Sequence, residues 1–336
     1  MKKKFLFITM ASEKYGIGHL ERSLKLGRNL KKKNEIYLCG LNKKYKKNLD
    51  KLLFKKIFLL NSYNPTNKSV FKFISSVKPD LCIVDLPKAD SNFEKKLYES
   101  NFKFLVYDNL SRKKIYSNYL INLNPLVLKK DYKKIIFYNN CKLLLGINYF
   151  QFNIELSKLN KKIKKIKKIL LFFGGGQIRY NLLYNVLKNI SETEFNKKDI
   201  TFVSKQKIDS HKKNYFKDKF KMNLNFLNNL SSLDNVLKKT DLAIITSGTI
   251  SFEVSFLKIP MVLISIAKNQ EIISKSWSKL GAGLNVGDYR SRYFSKTMND
   301  ALLQIAKKKS KLDIYHSQKN IYKNYNNKLV ELLNKI

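Results

Sequence analysis

A chain of 336 residues exceeds one ordinary domain and suits two of about 150 residues each. Hydrophobic residues at 44% and aromatics at 12% supply enough apolar side chains for real cores, which excludes a wholly disordered chain. The 67 Lys and Arg against 25 Asp and Glu leave a formal charge of +42, a balance that asks for an anionic partner or a compositional cause.

The run Lys2-Lys3-Lys4 followed by FLFITMAS imitates a signal peptide. Its apolar stretch is short and runs into Glu13-Lys14, so the pattern predicts a first strand over KFLFIT, residues 4–9. The loop SEKYGIGHLERS (12–23) comes next and leads into an amphipathic helix over 19–33. Apolar runs at EIYLC (35–39), DLCIVD (80–85), FKFLVYD (102–108) and CKLLLG (141–146) read as strands buried on both faces, with a helical pattern over 91–101. The segment Ser157 to Lys168 is strongly basic, includes Lys161-Lys162 and Lys164-Lys165, and carries no strand signal. A domain boundary is therefore expected near residue 160. The strand pattern restarts with KILLFFGGG (168–176), DITFV (199–203), DLAIIT (241–246) and IPMVLI (259–264). The stretch from about Lys311 to Ile336 reads as helix that packs back across the first domain.

Strand, helix and strand in alternation imply parallel sheet with right-handed crossovers. The expected architecture is α/β, with two doubly wound Rossmann-like domains, 1–160 and 161–336, facing across a cleft. In such folds ligands sit at the carboxyl ends of the strands.

Three constellations fall at such ends. In the first loop, Gly16 and Gly18 permit a tight turn and close approach of a ligand to the backbone. His19 then starts the helix, where the positive end of the dipole favours a neutral ring, competent as a general base. The loop is neither a dinucleotide fingerprint, since position 21 is Glu, nor a P-loop, since no Gly-Lys-Ser/Thr follows. In FFGGGQIRYN (172–181), the glycines Gly174, Gly175 and Gly176 expose N–H groups suited to an anion, or else serve a plain tight turn. In the third, Ser247, Gly248 and Thr249 cap a helix whose first turn can hold a diphosphate. Glu253, one turn deeper, can accept two hydrogen bonds from a ribose or can be a solvated helix acid. Asn269 and Gln270 follow the next strand.

Lysines scattered through every segment beside Asn and Ile have the look of an AT-rich coding bias. Attraction to an anionic membrane surface through the basic surface is the second explanation. Specific nucleic-acid binding is not expected, for want of a motif or a basic stripe with interleaved aromatics. Cys39, Cys82 and Cys141 are widely spaced in apolar runs and read as buried free thiols, and only His19, His211 and His316 offer imidazoles, so no metal site is expected. No apolar run is long enough to span a membrane. Together these features point to the cytoplasm or the inner face of its membrane.

The combination GxGHxxR (Gly16, Gly18, His19, Arg22), the glycine turn at 174–176 and SGT…E…P…NQ from Ser247 to Gln270 resembles the two-domain UDP-sugar enzymes of glycosyltransferase-B fold. Within them it is most similar to the pseudaminic-acid-pathway hydrolases that release UDP from UDP-2,4-diacetamido-2,4,6-trideoxy-β-L-altropyranose, relatives of the enzyme that adds N-acetylglucosamine to lipid II precursors. The resemblance covers about residues 3–285. It implies UDP on the second domain, with Glu253 on the ribose, Ser247, Gly248 and Thr249 near the diphosphate, and Asn269 and Gln270 near sugar or diphosphate. His19 matches the catalytic histidine that activates water, and neither metal nor cofactor is implied. The alternative is a glycosyltransferase with the same UDP site, in which a hydroxyl on a membrane-associated or glycan acceptor replaces water. A third possibility is a non-catalytic UDP-sugar-binding relative. The chain departs from the hydrolase pattern at Asp85-Leu86-Pro87, where Asp-His-Tyr is usual, and at Gln177, where an acid follows the glycines. Tyr149 falls near the family's Gly-x-x-Tyr element without the arginine that follows it there.

Overall fold

The computed structural model describes residues 2–12, 16–50, 52–61, 68–87, 90–108, 110, 112–152, 156, 165–228, 230 and 232–336. Glu13-Lys14 and the basic residues 157–164 of the expected linker lie outside them. The chain divides into two compact units, one made of Met1–Gln151 with Asn326–Ile336 and the other of Phe152–Tyr325.

The first unit contains β1 (Lys4–Thr9), β2 (Glu35–Asn42), β3 (Lys56–Leu60), β4 (Leu81–Asp85), β5 (Phe104–Tyr107), β6 (Lys114–Ile115), β7 (Tyr119–Asn122), β8 (Ile136–Phe137) and β9 (Lys142–Leu145). Seven of these form one sheet in the order β3-β2-β1-β4-β5-β7-β9, and every pairing is parallel. Helices α1 (Gly18–Lys31), α2 (Lys68–Val77) and α3 (Ser91–Glu99) make crossovers. The strands are apolar at consecutive positions because both faces are covered: Leu6, Ile8, Cys82 and Val84 face the side chains of α2 and α3, such as Phe73, Ile74, Phe93 and Leu97.

The second unit contains β10 (Lys168–Phe172), β11 (Asp199–Ser204), β12 (Leu224–Asn228), β13 (Leu242–Thr246), β14 (Met261–Ser265) and β15 (Leu284–Asp288). They form one sheet ordered β12-β11-β10-β13-β14-β15, again parallel throughout. Its helices are α4 (Tyr180–Ser191), α5 (Ser210–Phe220), α6 (Asp234–Lys239), α7 (Ile250–Phe256), α8 (Lys268–Lys279), α9 (Phe294–Ala306) and α10 (Lys308–Ile321). In both sheets the strand order reverses beside the first strand of the unit. The reversal lies between β1 and β4 in one and between β10 and β13 in the other, and crevices for ligands open outside the carboxyl ends of such strand pairs.

The final stretch is not one continuous helix. After α10 it breaks at Tyr322, which is buried at 8% exposure with its hydroxyl donating to the Phe252 carbonyl. It resumes as α11 (Lys328–Lys335), capped by the Asn327 side chain. α11 belongs to the first unit, where Leu329 and Leu333 are fully buried and the Asn334 side chain accepts from Asn34.

Among the described residues no helix is long and apolar enough to cross a membrane. Cys39 and Cys82 are buried free thiols and Cys141 is half-buried; burial pushes the Cys39 thiol up to about 12 and the Cys141 thiol up to about 11.

Candidate functional site

The reversal point of the first sheet is occupied by a charged constellation. Thr9 and Asp85 are in register at the carboxyl ends of β1 and β4. The Asp85 side chain is fully buried there, and α1 brings two partners to it. His19 Nδ1 lies 2.7 Å from Asp85 Oδ1. The Arg22 guanidinium grips the same carboxylate with Nε at 2.7 Å from Oδ2 and Nη2 at 2.5 Å from Oδ1. His19 and Arg22 are three residues apart and therefore share a face of the helix. Arg22 also lies 4.3 Å from the ring centroid of Tyr107, the last residue of β5, a cation–π contact that fixes the guanidinium plane.

The electrostatics follow from this packing. Burial pushes the Asp85 carboxyl upward, but the Arg22 and His19 charges and hydrogen bonds outweigh it and hold the group at about 2. Asp85 is thus an ionised acceptor, so the Nδ1 facing it is the donor and Nε2 of a neutral ring keeps its lone pair. His19 retains 23% side-chain exposure, enough for a reactant to reach it. The helix dipole is not the only field on the ring, as the sequence alone suggests: a buried carboxylate orients it and stabilises any positive charge it acquires.

Gly16 has φ +72°, and its carbonyl accepts from the Ser12 amide at 3.1 Å, closing the loop ahead of α1. Residues 13–15 of that loop lie outside the described residues. Gly18 opens α1 with no positive φ, and a Cβ built on it meets nothing within 4 Å. Neither backbone conformation nor packing therefore requires glycine at 18. The residues missed in the sequence are Asp85 and Tyr107. The available signal was an acid ending a fully apolar strand, LCIVD, since such ends are where open α/β sheets place ligands.

In the second unit the loops after β10 and β13 adjoin at the reversal point. Gly174 has φ +91°, and a Cβ there would lie 3.8 Å from Thr246 Oγ1. Gly175 and Gly176 have no positive φ, so the turn itself demands glycine only at 174. The helix does not follow these glycines directly, because Gln177, Ile178 and Arg179 precede α4 at Tyr180. The glycine loop is consequently not a helix N-terminus.

Ser247, Gly248 and Thr249 separate β13 from α7. Ser247 is fully buried, and both its amide (3.1 Å) and its hydroxyl (3.4 Å) donate to the Ile264 carbonyl. The Ser247 hydroxyl is thus directed inward, toward β14. Gly248 and Thr249 are half-exposed, Thr249 makes no side-chain cap, and a Cβ on Gly248 would enter open space. The turn is held from below: Ser251 Oγ donates to the Gly248 carbonyl at 2.7 Å and accepts from buried Trp277 Nε1 at 3.0 Å. Glu253 is 5% exposed, which rules out the solvated helix acid.

Asn269 and Gln270 lie in the first turn of α8, beyond the carboxyl end of β14. Asn269 is exposed, while Gln270 Oε1 accepts from the Ile266 amide at 3.1 Å and so shapes the loop it ends. Among the described residues no group of three or more His, Cys, Asp or Glu is gathered so as to hold a metal ion.

No protein-family model matches the chain. A curated relative, the uncharacterised protein MJ1062 of Methanocaldococcus jannaschii, is 27% identical over an alignment 278 residues long that covers 78% of this chain and 55% of that protein. The chain thus spans about half the length of the curated relative it matches. Solved structures resemble it along its length. A glycosyltransferase from Rickettsia africae has a TM-score of 0.64 at 14% identity, covering 99% of this chain and 97% of its own. MurG of Acinetobacter baumannii gives 0.66 at 11% identity, with 99% and 100% covered. A spinosyn rhamnosyltransferase, SpnG, complexed with thymidine diphosphate gives 0.64 at 8% identity, with 99% of each chain covered. What these proteins share with the chain is the fold, and the fold is that of the glycosyltransferase-B enzymes.

Proposed function

We propose that the chain is an enzyme that transfers a glycosyl group from a nucleotide diphosphate sugar, UDP being the nucleotide, to a hydroxyl acceptor. The observation that carries this reading is the His19–Asp85–Arg22 constellation at the reversal point of the first sheet. In this reading His19 Nε2 takes the proton of the acceptor hydroxyl while its oxygen attacks the anomeric carbon. The bond from that carbon to the diphosphate oxygen breaks, and a single displacement inverts the centre. Asp85 holds the ring and stabilises the imidazolium that forms. Arg22 is a positioning residue, since its guanidinium is spent on Asp85 and Tyr107.

The second unit binds the nucleotide in this proposal. Gly248, Thr249 and the glycines Gly175 and Gly176 receive the diphosphate, whose departing charge is met by backbone N–H groups. Glu253 takes the ribose hydroxyls, and Asn269 and Gln270 lie toward the sugar or diphosphate. Supporting the reading is the pair of glycines at 18 and 248, where a Cβ would enter open space beside the strand ends.

Hydrolysis of a UDP-linked diacetamido-trideoxy sugar, with water in place of the acceptor, is the second reading. It is favoured by the convergence of the GxGHxxR residues His19 and Arg22 on one carboxylate. The transferase comes first because the solved structures that share the fold and are named by their activity are glycosyltransferases.

The deciding experiment measures UDP release from UDP-2,4-diacetamido-2,4,6-trideoxy-β-L-altropyranose and from UDP-N-acetylglucosamine, with EDTA present, with and without hydroxyl acceptors. Release that requires an acceptor supports the transferase, and release without one supports the hydrolase. UDP binding with no turnover under any condition overturns both.

A further inference from the structure

The second unit holds a cavity of about 630 Å³ apart from the strand-end crevice described above. Phe256 and Lys258 line it from the carboxyl end of α7. Lys319, Tyr322, Lys323 and Tyr325 line it from the end of α10 and the segment that follows. The turn at Gly248 lies ahead of the first residue of α7. The seven residues of that helix span about 10 Å, so the cavity and the Gly248 turn lie at its opposite ends.

The wall of the cavity is aromatic. Phe256 stacks on buried Phe152 with ring centroids 4.1 Å apart and meets Tyr322 edge to face at 5.2 Å. Tyr325 lies 5.0 Å from Phe152 and 5.7 Å from Phe256. The rings are held in place, since Tyr322 is buried and its hydroxyl is spent on the Phe252 carbonyl. Burial pushes the Tyr325 phenol up to about 12, so it adds no negative charge near pH 7.

The rim is cationic. Lys258 is half-buried, while Lys319 and Lys323 are exposed. The remaining lining residue is Asn320, so among the described residues no acid lines the cavity. None of these lysines makes an ion pair among the described residues. The plainest role for them is to offset the carboxyl ends of α7 and α10. Each helix end carries about half an elementary charge, so the pair offsets about one positive charge and leaves about two. Lysine is abundant throughout the chain and marks nothing alone. What marks this place is the set of ammonium groups around a cavity walled by packed rings.

We infer that this cavity binds a small phosphate monoester that carries a flat ring. A monoester brings a charge of about −1.5 to −2 near pH 7, which matches the uncompensated lysines, whereas a carboxylate brings only one. The ring packs against Phe256 and Tyr325, which a bare phosphate would leave unused. The volume falls in the range of about 300–1,000 Å³ that holds ligands of drug size. The site does not depend on the reaction proposed above.

The test is calorimetric titration of the full chain with naphthyl phosphate at about 0.1 M salt, beside naphthol and inorganic phosphate, which carry its ring and its charge separately. Naphthyl phosphate is expected to bind with single-site stoichiometry, and each of the others at least about tenfold more weakly. Lys319→Glu with Lys323→Glu weakens binding at least about tenfold. Phe256→Leu weakens it about fivefold or more. Lys212→Glu with Lys219→Glu, exposed on α5 beside the Tyr184 and Tyr215 rings, changes it less than about twofold. Unfolding midpoints near that of the wild type verify folding, and if Phe256→Leu unfolds, the exposed pair Lys319 and Lys323 decides. Absence of binding overturns the inference. So do Lys319 and Lys323 variants that bind like the wild type, equal losses in the α5 control, and inorganic phosphate that binds as well as naphthyl phosphate. Binding lost in Gly248→Ala and kept in Lys319→Glu with Lys323→Glu places the probe in the nucleotide crevice and overturns it too.

Discussion

Gly18 and Gly248 stand on opposite sides of the reversal points of their sheets: Gly18 opens the helix after β1 and Gly248 lies in the turn after β13, yet a Cβ on either would meet nothing within 4 Å. Neither has a positive φ. Alanine therefore fits both sites as far as the protein itself is concerned, and it reduces the freedom of the unfolded chain, raising stability by about 0.4–1 kcal/mol. If the glycines serve a ligand that approaches the backbone, Gly248→Ala lowers UDP affinity at least about tenfold while the unfolding midpoint holds or rises. Calorimetric titration beside thermal unfolding checks both. Gly283→Ala is the contrasting case, since its Cβ would lie 2.9 Å from Met261 Cγ and costs about 1–3 kcal/mol through overpacking.

In the proposed reaction His19→Ala removes the base, and it is expected to abolish turnover while UDP affinity stays near the wild type. Asp85→Asn probes the support of that base. The amide can offer an N–H to Nδ1, which moves the ring proton to Nε2 and blocks proton abstraction there, so kcat falls about 10³-fold or more with KM little changed. A variant that lowers affinity and leaves kcat intact would assign Asp85 to binding.

The same carboxylate predicts an acid-sensitive contribution to stability. Asp85 is held at about 2 when folded, below the ordinary carboxylate value of about 3.9. A depressed folded value means that the contribution is complete above about pH 4–5 and is lost as pH falls through about 2. Its size is about 2 kcal/mol. Urea unfolding of wild type and Asp85→Asn between pH 6 and 2 (a window set by linkage, about 4 units) should show their difference narrowing toward the acid end. A constant difference would mean that the Asp85 ion pair does not titrate there.

Much of this fold was legible from local pattern. The runs KFLFIT and DLAIIT correspond to β1 and β13, because strands buried on both faces need apolar residues at every position. The outer strands were harder. β3, β12 and β15 mix exposed or half-buried positions with buried ones; LNFLN and LNVGD carry no continuous apolar run, and that of KIFLL is only IFLL. The glycine and histidine motifs could be placed at strand ends because they adjoin the strands that set those ends. Asp85 could not be joined to His19, as the pair is separated by 66 residues and meets only because β4 lies beside β1. The inward turn of the Ser247 hydroxyl likewise depends on β14, a strand that follows it in the chain.

Glu253 is 5% exposed on α7, one turn beyond Thr249. If Glu253 takes the ribose hydroxyls as proposed, it discriminates nucleotides by the number of hydroxyls it can accept from, since a carboxylate offers only acceptor oxygens. The wild type should therefore bind UDP more tightly than 2′-deoxy-UDP, which lacks one of the two vicinal donors. Hydrogen bonds to a charged group contribute about 1.5–3 kcal/mol each, so the ratio of the two affinities is about tenfold or more. Glu253→Gln keeps the shape but removes the charge and one acceptor, and Glu253→Ala removes both. The affinity ratio should shrink with Gln and approach one with Ala. Because the side chain is buried, each variant is also followed by thermal unfolding. A loss of stability with an unchanged UDP to 2′-deoxy-UDP ratio would place Glu253 in the support of α7 and remove it from the ribose.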